Sequence, residues 1–300
     1  MSAVLDVIEP CKVRIPHPME CRPRRPEIGP AWSPGRHQRR DPRDAGKPHV
    51  ADPPTRYAAK LVAAENLGAV RINFVYAAFM SMTAAHSEKA GRDQYFEGPH
   101  ETYGFRWDEV NPTRLDLQYQ PIQVAWKSIA GREHHITLDW VVETETNDIV
   151  FGEDKASEDY FDEPDLNEKL EFAQALLEDF GASFKRRVKG GLRNDIERRV
   201  VKDIFDARRT ELADGLAVRV RQHIREAGGT LPLGEVLRVI NLHDALSLDT
   251  ARALMFHRVL SMPISAPPML DTPVTLPLAA NKGALRAFLA DFVPARGAQA

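Results

Sequence analysis

"HHITLDWVVETETNDIVFGEDKAS", residues 134–157, decides how this chain is read. Two apolar runs, 136–142 and 149–151, flank a polar turn, and that spacing predicts a β-hairpin centred on Thr146. Asp139, Glu153 and Lys155 lie on its strands. A charge on a buried strand costs several kcal/mol unless it is paired or holds a metal. Side chains alternate faces along a strand, so Glu153 and Lys155 share a face and Asp154 points away. The same centre places Asp139 opposite Glu153, near enough for both carboxylates to grip one divalent cation. Lys155 then stands beside them, able to orient an attacking water or offset developing phosphate charge.

The rest of the chain sets the frame for this hairpin. Three hundred residues suit one large or two ordinary domains, and 43% hydrophobic content is ample for a core. No apolar run reaches the roughly 18–20 residues of a membrane span. The amino terminus has no secretory pattern, so a cytoplasmic setting without membrane attachment is expected. Cys11 and Cys21 are the only cysteines and imply no disulfide framework. With His17 they offer zinc ligands, the weaker reading of that segment.

The formal net charge of −3 hides an asymmetry. Residues 139–179 hold fifteen Asp/Glu against two Lys, whereas 185–209 hold ten basic residues against four acidic ones. Acid beside base suits a metal site flanked by a polyanion-binding surface, and solvated helix faces are the plain alternative.

Residues 1–55 carry half of the 22 prolines and are expected to form a disordered Pro/Arg-rich tail. The segment 55–92 mixes helix formers with short apolar runs and predicts no secure elements. Residues 100–110 read as a helix halted by Asn111-Pro112, and 114–142 alternate as two or three strands with a turn at Ala130-Gly131. An amphipathic helix follows with Leu166, Leu170, Ala173 and Leu177 on one face, ended by Gly181. Residues 183–188 suggest another strand. Beyond 209, three helical patterns and a Pro-rich ribbon suggest a winged-helix-like domain to about residue 280, with 281–300 as a tail.

Asp followed one strand later by Glu-x-Lys is the D…(D/E)xK pattern of metal-dependent nucleases, which charged hairpins also match by chance. Two features strengthen it. Glu101 sits on the helix upstream, and Gln120-Pro121 lies nineteen residues beyond, opening the strand that leads to the hairpin. Together with the amphipathic helix ending in "FGASF", this order resembles the TnsA family of transposon endonucleases over roughly residues 57–275.

The resemblance implies an α/β restriction-endonuclease-like core over 56–208, a mixed sheet flanked by helices, joined to the carboxy-terminal winged-helix-like domain. It implies Glu101, Asp139 and Glu153 as metal-binding acids, aided by the backbone carbonyl of Asp154. It implies that Gln120 lines the site and that Lys155 is the catalytic lysine. The implied cofactor is Mg2+, with Mn2+ as a substitute. The implied partners are DNA, a DDE-type transposase subunit and an AAA+ ATPase regulator. Two departures stand out: Leu138-Asp139-Trp140 replaces Pro-Asp-Phe, and Glu153-Asp154-Lys155 replaces Glu-Val-Lys, so Asp154 is expected to be exposed or near the metal.

Structural rivals remain for each residue. Glu101 could serve a helix amino terminus, Gln120 the backbone, and Glu153 with Lys155 an exposed ion pair. His134 and His135 point to opposite strand faces, which disfavours zinc. His257 and Arg258, on the expected recognition helix, read as solvated charges. A non-catalytic DNA-binding or assembly protein of the same fold, and a stand-alone repair or defence nuclease, are the rival functions.

Overall fold

The computed structural model describes residues 59–64, 67–70, 82–127, 131–155, 157–188, 195–240 and 245–292, all in one compact unit. The expected tail 1–55, with Cys11, His17 and Cys21, lies outside them. The first described elements are β1 (Lys60–Ala63), β2 (Met82–Ser87), β3 (Arg92–Glu97) and α1 (Gly98–Val110). Then come β4 (Arg114–Tyr119), β5 (Ile122–Lys127), β6 (Glu133–Thr137), β7 (Trp140–Thr144) and β8 (Ile149–Lys155). A 3-10 turn at Glu158–Tyr160 leads to α2 (Pro164–Asp179), β9 (Ser183–Val188) and α3 (Asp195–Ala207). Last are α4 (Leu216–Glu226), β10 (Thr230–Pro232), α5 (Leu233–Ile240), α6 (Ala245–Phe256), β11 (Pro273–Thr275) and α7 (Ala284–Ala290).

The architecture is mixed α/β, with several sheets flanked by helices. The quoted hairpin forms in the predicted register, from Trp140 opposite Gly152 to Glu143 opposite Ile149. Asn147 turns it in the left-handed region (φ +62°), which asparagine tolerates. β4 pairs antiparallel with β7 on one side, and β9 pairs parallel with β8 on the other. α2 is the connection that a parallel neighbour requires.

Alternation gives this four-stranded sheet two apolar faces. Val141 and Phe151 join a core with Leu170, Ala173 and Leu177 of α2 and with the three-stranded sheet β1–β5–β6. Trp140, Val142 and Val150 face the other way, against Phe96 of β3 and Phe105 of α1. Phe96 stacks at 4.7 Å from Phe105 and edge-on at 5.1 Å from Tyr119. A further core gathers α3, α4, α5, α6 and the β10–β11 ribbon, with Val200, Ile204, Val220, Ile224 and Leu254 buried in it.

Three placements differ from expectation. The segment 55–92, for which the sequence predicts no secure elements, holds the strands β1 and β2 and the first residue of β3, because cross-strand pairing overrides weak local propensity. α3 packs into the helical core although it precedes residue 209, where sequence composition changes. Residues 284–290, expected in a tail, form α7, whose Leu285 and Leu289 are buried in the first core. Glu143, fully buried on β7, holds the start of that helix by accepting the backbone N–H groups of Gly283, Ala284 and Leu285 at 3.0–3.2 Å.

Candidate active site

Asp139 lies in the crossover from β6 to β7, one residue ahead of β7. Extending the hairpin register by one pair sets it opposite Glu153. The backbone N–H of Asp154 donates to Oδ2 of Asp139 at 2.7 Å and fixes that carboxylate across the strand pair. Glu153 is buried on β8, and Lys155 ends the same strand on the same face. The Lys155 ammonium donates to Oε1 of Glu153 and stands 3.9 Å from Oδ2 of Asp139. Only 5% of the Glu153 side chain is exposed, so this is no solvated surface ion pair.

Glu101, in the first turn of α1, joins the same electrostatic cluster. Its Oε2 accepts the backbone N–H of Glu97 at 2.9 Å, so it also serves the helix start. Burial, with nearby Glu97, Asp154 and Glu153 adding, pushes its carboxyl up to about 8 against that hydrogen bond. Burial and then Glu153 hold the Asp139 carboxyl well above the usual carboxylate range, opposed by Lys155. Burial raises Glu153 as well, against the pull of Lys155. The Lys155 ammonium is disfavoured by burial, but Asp139 and Glu153 outweigh this and hold its proton more firmly than usual. Glu101 adds a third carboxyl group to the two that face Lys155, and the cluster is short of positive charge.

Gln120 links β4 to β5 beside this cluster. Its backbone N–H donates to the Asp139 carbonyl at 2.8 Å, and its φ is +49°, a region disfavoured for a residue with a side chain. Its side chain is 1% exposed, and neither amide atom finds a hydrogen-bond partner among the described residues. Glu153 Oε2 is likewise buried and unpartnered there. Buried polar atoms without partners are costly, so these atoms suit a ligand.

Among the described residues, no group of three or more His, Cys, Asp or Glu stands assembled as a metal site. The donor set nevertheless fits a hard divalent cation. It offers carboxylate oxygens, one of them orphaned, whose mutual repulsion such an ion would relieve. The other titratable candidates stand apart. His134 stacks on Trp126 at 5.4 Å and His135 is exposed on the other face of β6. His257 and Arg258 follow α6 rather than lying on it, and Arg258 Nε donates to the Pro112 carbonyl at 2.7 Å.

Sequence reasoning missed the network that supports this site. The Asp154 side chain is buried rather than exposed. It turns to the α1 face of the sheet, where Arg187 of β9 grips it with Nε at 2.7 Å and Nη2 at 2.9 Å. Trp140 Nε1 donates to the same carboxylate at 2.7 Å, and Arg187 lies over the Trp140 ring at 4.5 Å. Trp140 and Asp154 are therefore bonded to each other across the strand pair. Arg187 also reaches Asp108 of α1 at 3.2 Å, which accepts the Tyr119 hydroxyl at 2.9 Å. Gly104 makes room: a Cβ there would lie 2.5 Å from Arg187 Nη2. Gly152 does the same for Trp140, whose ring would lie 2.1 Å from an added Cβ. The one sequence signal was the Trp140–Gly152 pairing, a bulky ring opposite a residue with no side chain.

Comparison with protein-family models and with curated proteins finds no match for this chain.

Proposed function

We propose that this protein is a divalent-metal-dependent DNA endonuclease of the TnsA-like kind, with a restriction-endonuclease-like core and a winged-helix-like second domain. The observation that carries the reading is the Asp139–Glu153–Lys155 cluster, Glu153 buried and the other two half-buried, with Glu101 close enough to shift its proton affinity. Antiparallel β4–β7–β8 with parallel β9, between α1 and α2, supports the core assignment. The order α4, β10, α5, α6, β11 around one core supports the second.

Asp139, Glu153 and Glu101 would hold Mg2+, or Mn2+ in its place, with the Asp154 carbonyl as a further oxygen donor. A bound divalent ion lowers the pKa of a coordinated water and offsets charge on the scissile phosphate. Lys155, fully protonated at neutral pH, donates hydrogen bonds to the attacking water or to a phosphoryl oxygen. The Asp154 N–H keeps Asp139 in register, and the unpartnered Gln120 amide lines the site and offers a donor and an acceptor to the substrate. Arg187 positions β8 from behind and touches none of the reacting groups.

In this reading the enzyme cuts strands at transposon ends in the cytoplasm, beside a DDE-type transposase and an AAA+ ATPase regulator. The acidic 139–179 segment supports the need for such partners, because its charge repels phosphates. Among the described residues no helix is long and apolar enough to cross a membrane. The test is cleavage by the purified protein with Mg2+ and with EDTA, then with the transposase and end DNA added. Loss of Mg2+-dependent cutting in Asp139→Ala and Glu153→Ala is expected. Wild-type cutting by either variant would sink the nuclease reading.

A further inference from the structure

Away from the carboxylate cluster, a cavity of about 910 Å³ opens between α4, the end of α6 and the segment 276–281. That volume lies within the range of small-molecule sites, roughly 300–1,000 Å³. Its lining carries four permanent or potential cations, Lys89, Arg221, Arg225 and Arg258, beside His257 and against one carboxylate, Glu88. Apolar side chains, Phe256, Val259 and Leu276 among them, and Asn281 complete its wall.

Several features show that these cations are held together against their own repulsion. Arg221 Nη2 donates to the Arg258 carbonyl at 3.4 Å. Burial first of all disfavours the Arg258 charge, Glu145 favours it, and Arg221 adds a smaller push against it. Arg258 occupies the left-handed region (φ +54°) where a helix end favours glycine, with its N–H on the Met255 carbonyl. Glu145, 3.7 Å away, answers only part of its charge. Lys89 donates to the carbonyls of Asp108 and Asn111 at the end of α1. Burial lowers its pKa to about 7, opposed by Glu109 and Asp108, while Arg258 and Arg114 lower it further. Arg225, one turn beyond Arg221 on α4, is exposed and points no hydrogen bond at a described residue. Like charges gathered at a concave surface favour an anion, and guanidinium forks match phosphate oxygens in pairs.

We propose that this cavity is a nucleotide-binding site, with phosphate on Arg221 and Arg225 and the base against the Phe256–Val259–Leu276 wall. The nucleotide is either free or the phosphorylated end of a DNA strand, since both present the same chemistry. The inference is independent of the nuclease reading, because none of the cleavage-site residues lines the cavity.

The experiment is calorimetric titration of the full chain, without divalent metal, with AMP, ATP, adenosine, pyrophosphate and a 5′-phosphorylated oligonucleotide. Saturable binding of AMP or ATP is expected, at least about tenfold tighter than adenosine or pyrophosphate. The doubly substituted R221Q/R225Q protein should bind at least about tenfold more weakly while keeping its circular dichroism and melting temperature. Asp139→Ala should bind like the wild type. Saturation by the oligonucleotide alone, lost in R221Q/R225Q, would identify the strand end as the source. Absence of binding by every phosphorylated probe would overturn the proposal. So would unchanged affinity in R221Q/R225Q, or binding lost in Asp139→Ala and kept in R221Q/R225Q.

Discussion

The backbone N–H of Asp154 donates to the carboxylate of Asp139 at 2.7 Å, while the Asp154 side chain turns to the other face of the sheet and is gripped by Arg187. One residue thus serves the site with its backbone and the core with its side chain. Substitution of the side chain and substitution of its partners should therefore have separable effects.

Asp139→Ala and Glu153→Ala are expected to abolish Mg2+-dependent cleavage without unfolding the protein. Removing one acid from a repelling cluster should leave stability unchanged or raised in the absence of metal. Thermal melts in EDTA and in Mg2+ check this. The wild type should gain stability with Mg2+, and the variants should gain less.

Lys155→Met leaves the buried Glu153 carboxylate without its partner. Cleavage should fall to background, and stability at neutral pH should drop by an amount readable in urea denaturation. Adding Glu153→Gln should restore stability and leave cleavage at background. Recovery of cleavage in that double variant would remove Lys155 and Glu153 from the mechanism.

Glu101 sets a pH dependence. Its carboxyl moves from 4.5 to about 8, so the folded state holds the proton more tightly than the unfolded chain. The stabilisation is fully present below pH 4.5 and is lost as pH rises toward 8. Lys89, lowered from 10.5 to about 7, acts oppositely, its contribution being lost as pH falls from 10.5 through 7. The measurement is therefore the difference in melting temperature between wild type and Glu101→Gln, in EDTA. Relative to the variant, the wild type should lose stability between pH 5 and 8; a flat difference would contradict the buried cluster.

Arg187→Met leaves Asp154 buried without its counter-charge and Asp108 with only the more distant Arg114 at 3.8 Å, which should cost roughly 3–5 kcal/mol in denaturant unfolding. Gly104→Ala should also destabilise, because its methyl group meets the Arg187 guanidinium and the Asp154 carboxylate. Neither change touches Glu101, Asp139 or Glu153, the acids proposed to hold the metal, so residual folded protein should keep its Mg2+ response.

Deleting residues 283–300 should destabilise the protein strongly. Leu285 and Leu289 each contribute roughly 1.5–3 kcal/mol by burial, and Glu143 would be left buried without the N–H groups it accepts. A melting temperature unchanged by the deletion would mean that α7 adds nothing to the first core.

The sequence by itself determined the features that depend on near neighbours. The hairpin register follows from two apolar runs about a short turn, so Asp139 opposite Glu153, with Lys155 on the same face, was legible from alternation. A helix over 100–110 was legible from its Asn111-Pro112 stop, and the one at 164–179 from periodicity and its Gly181 stop. Only the tertiary structure decided what those residues meet. Asp154 was legible as facing away, yet its bond to Trp140 and the Arg187 fork depend on strands 14 and 33 residues apart. Gln120 is left-handed, with its side-chain amide unpartnered among the described residues, where two sheet crossovers meet beside Asp139. α3 and α7 join cores that their own segments do not announce, since an amphipathic face records that it is buried and not what buries it. Local periodicity encodes orientation, whereas partner choice is set by packing between segments far apart in the chain.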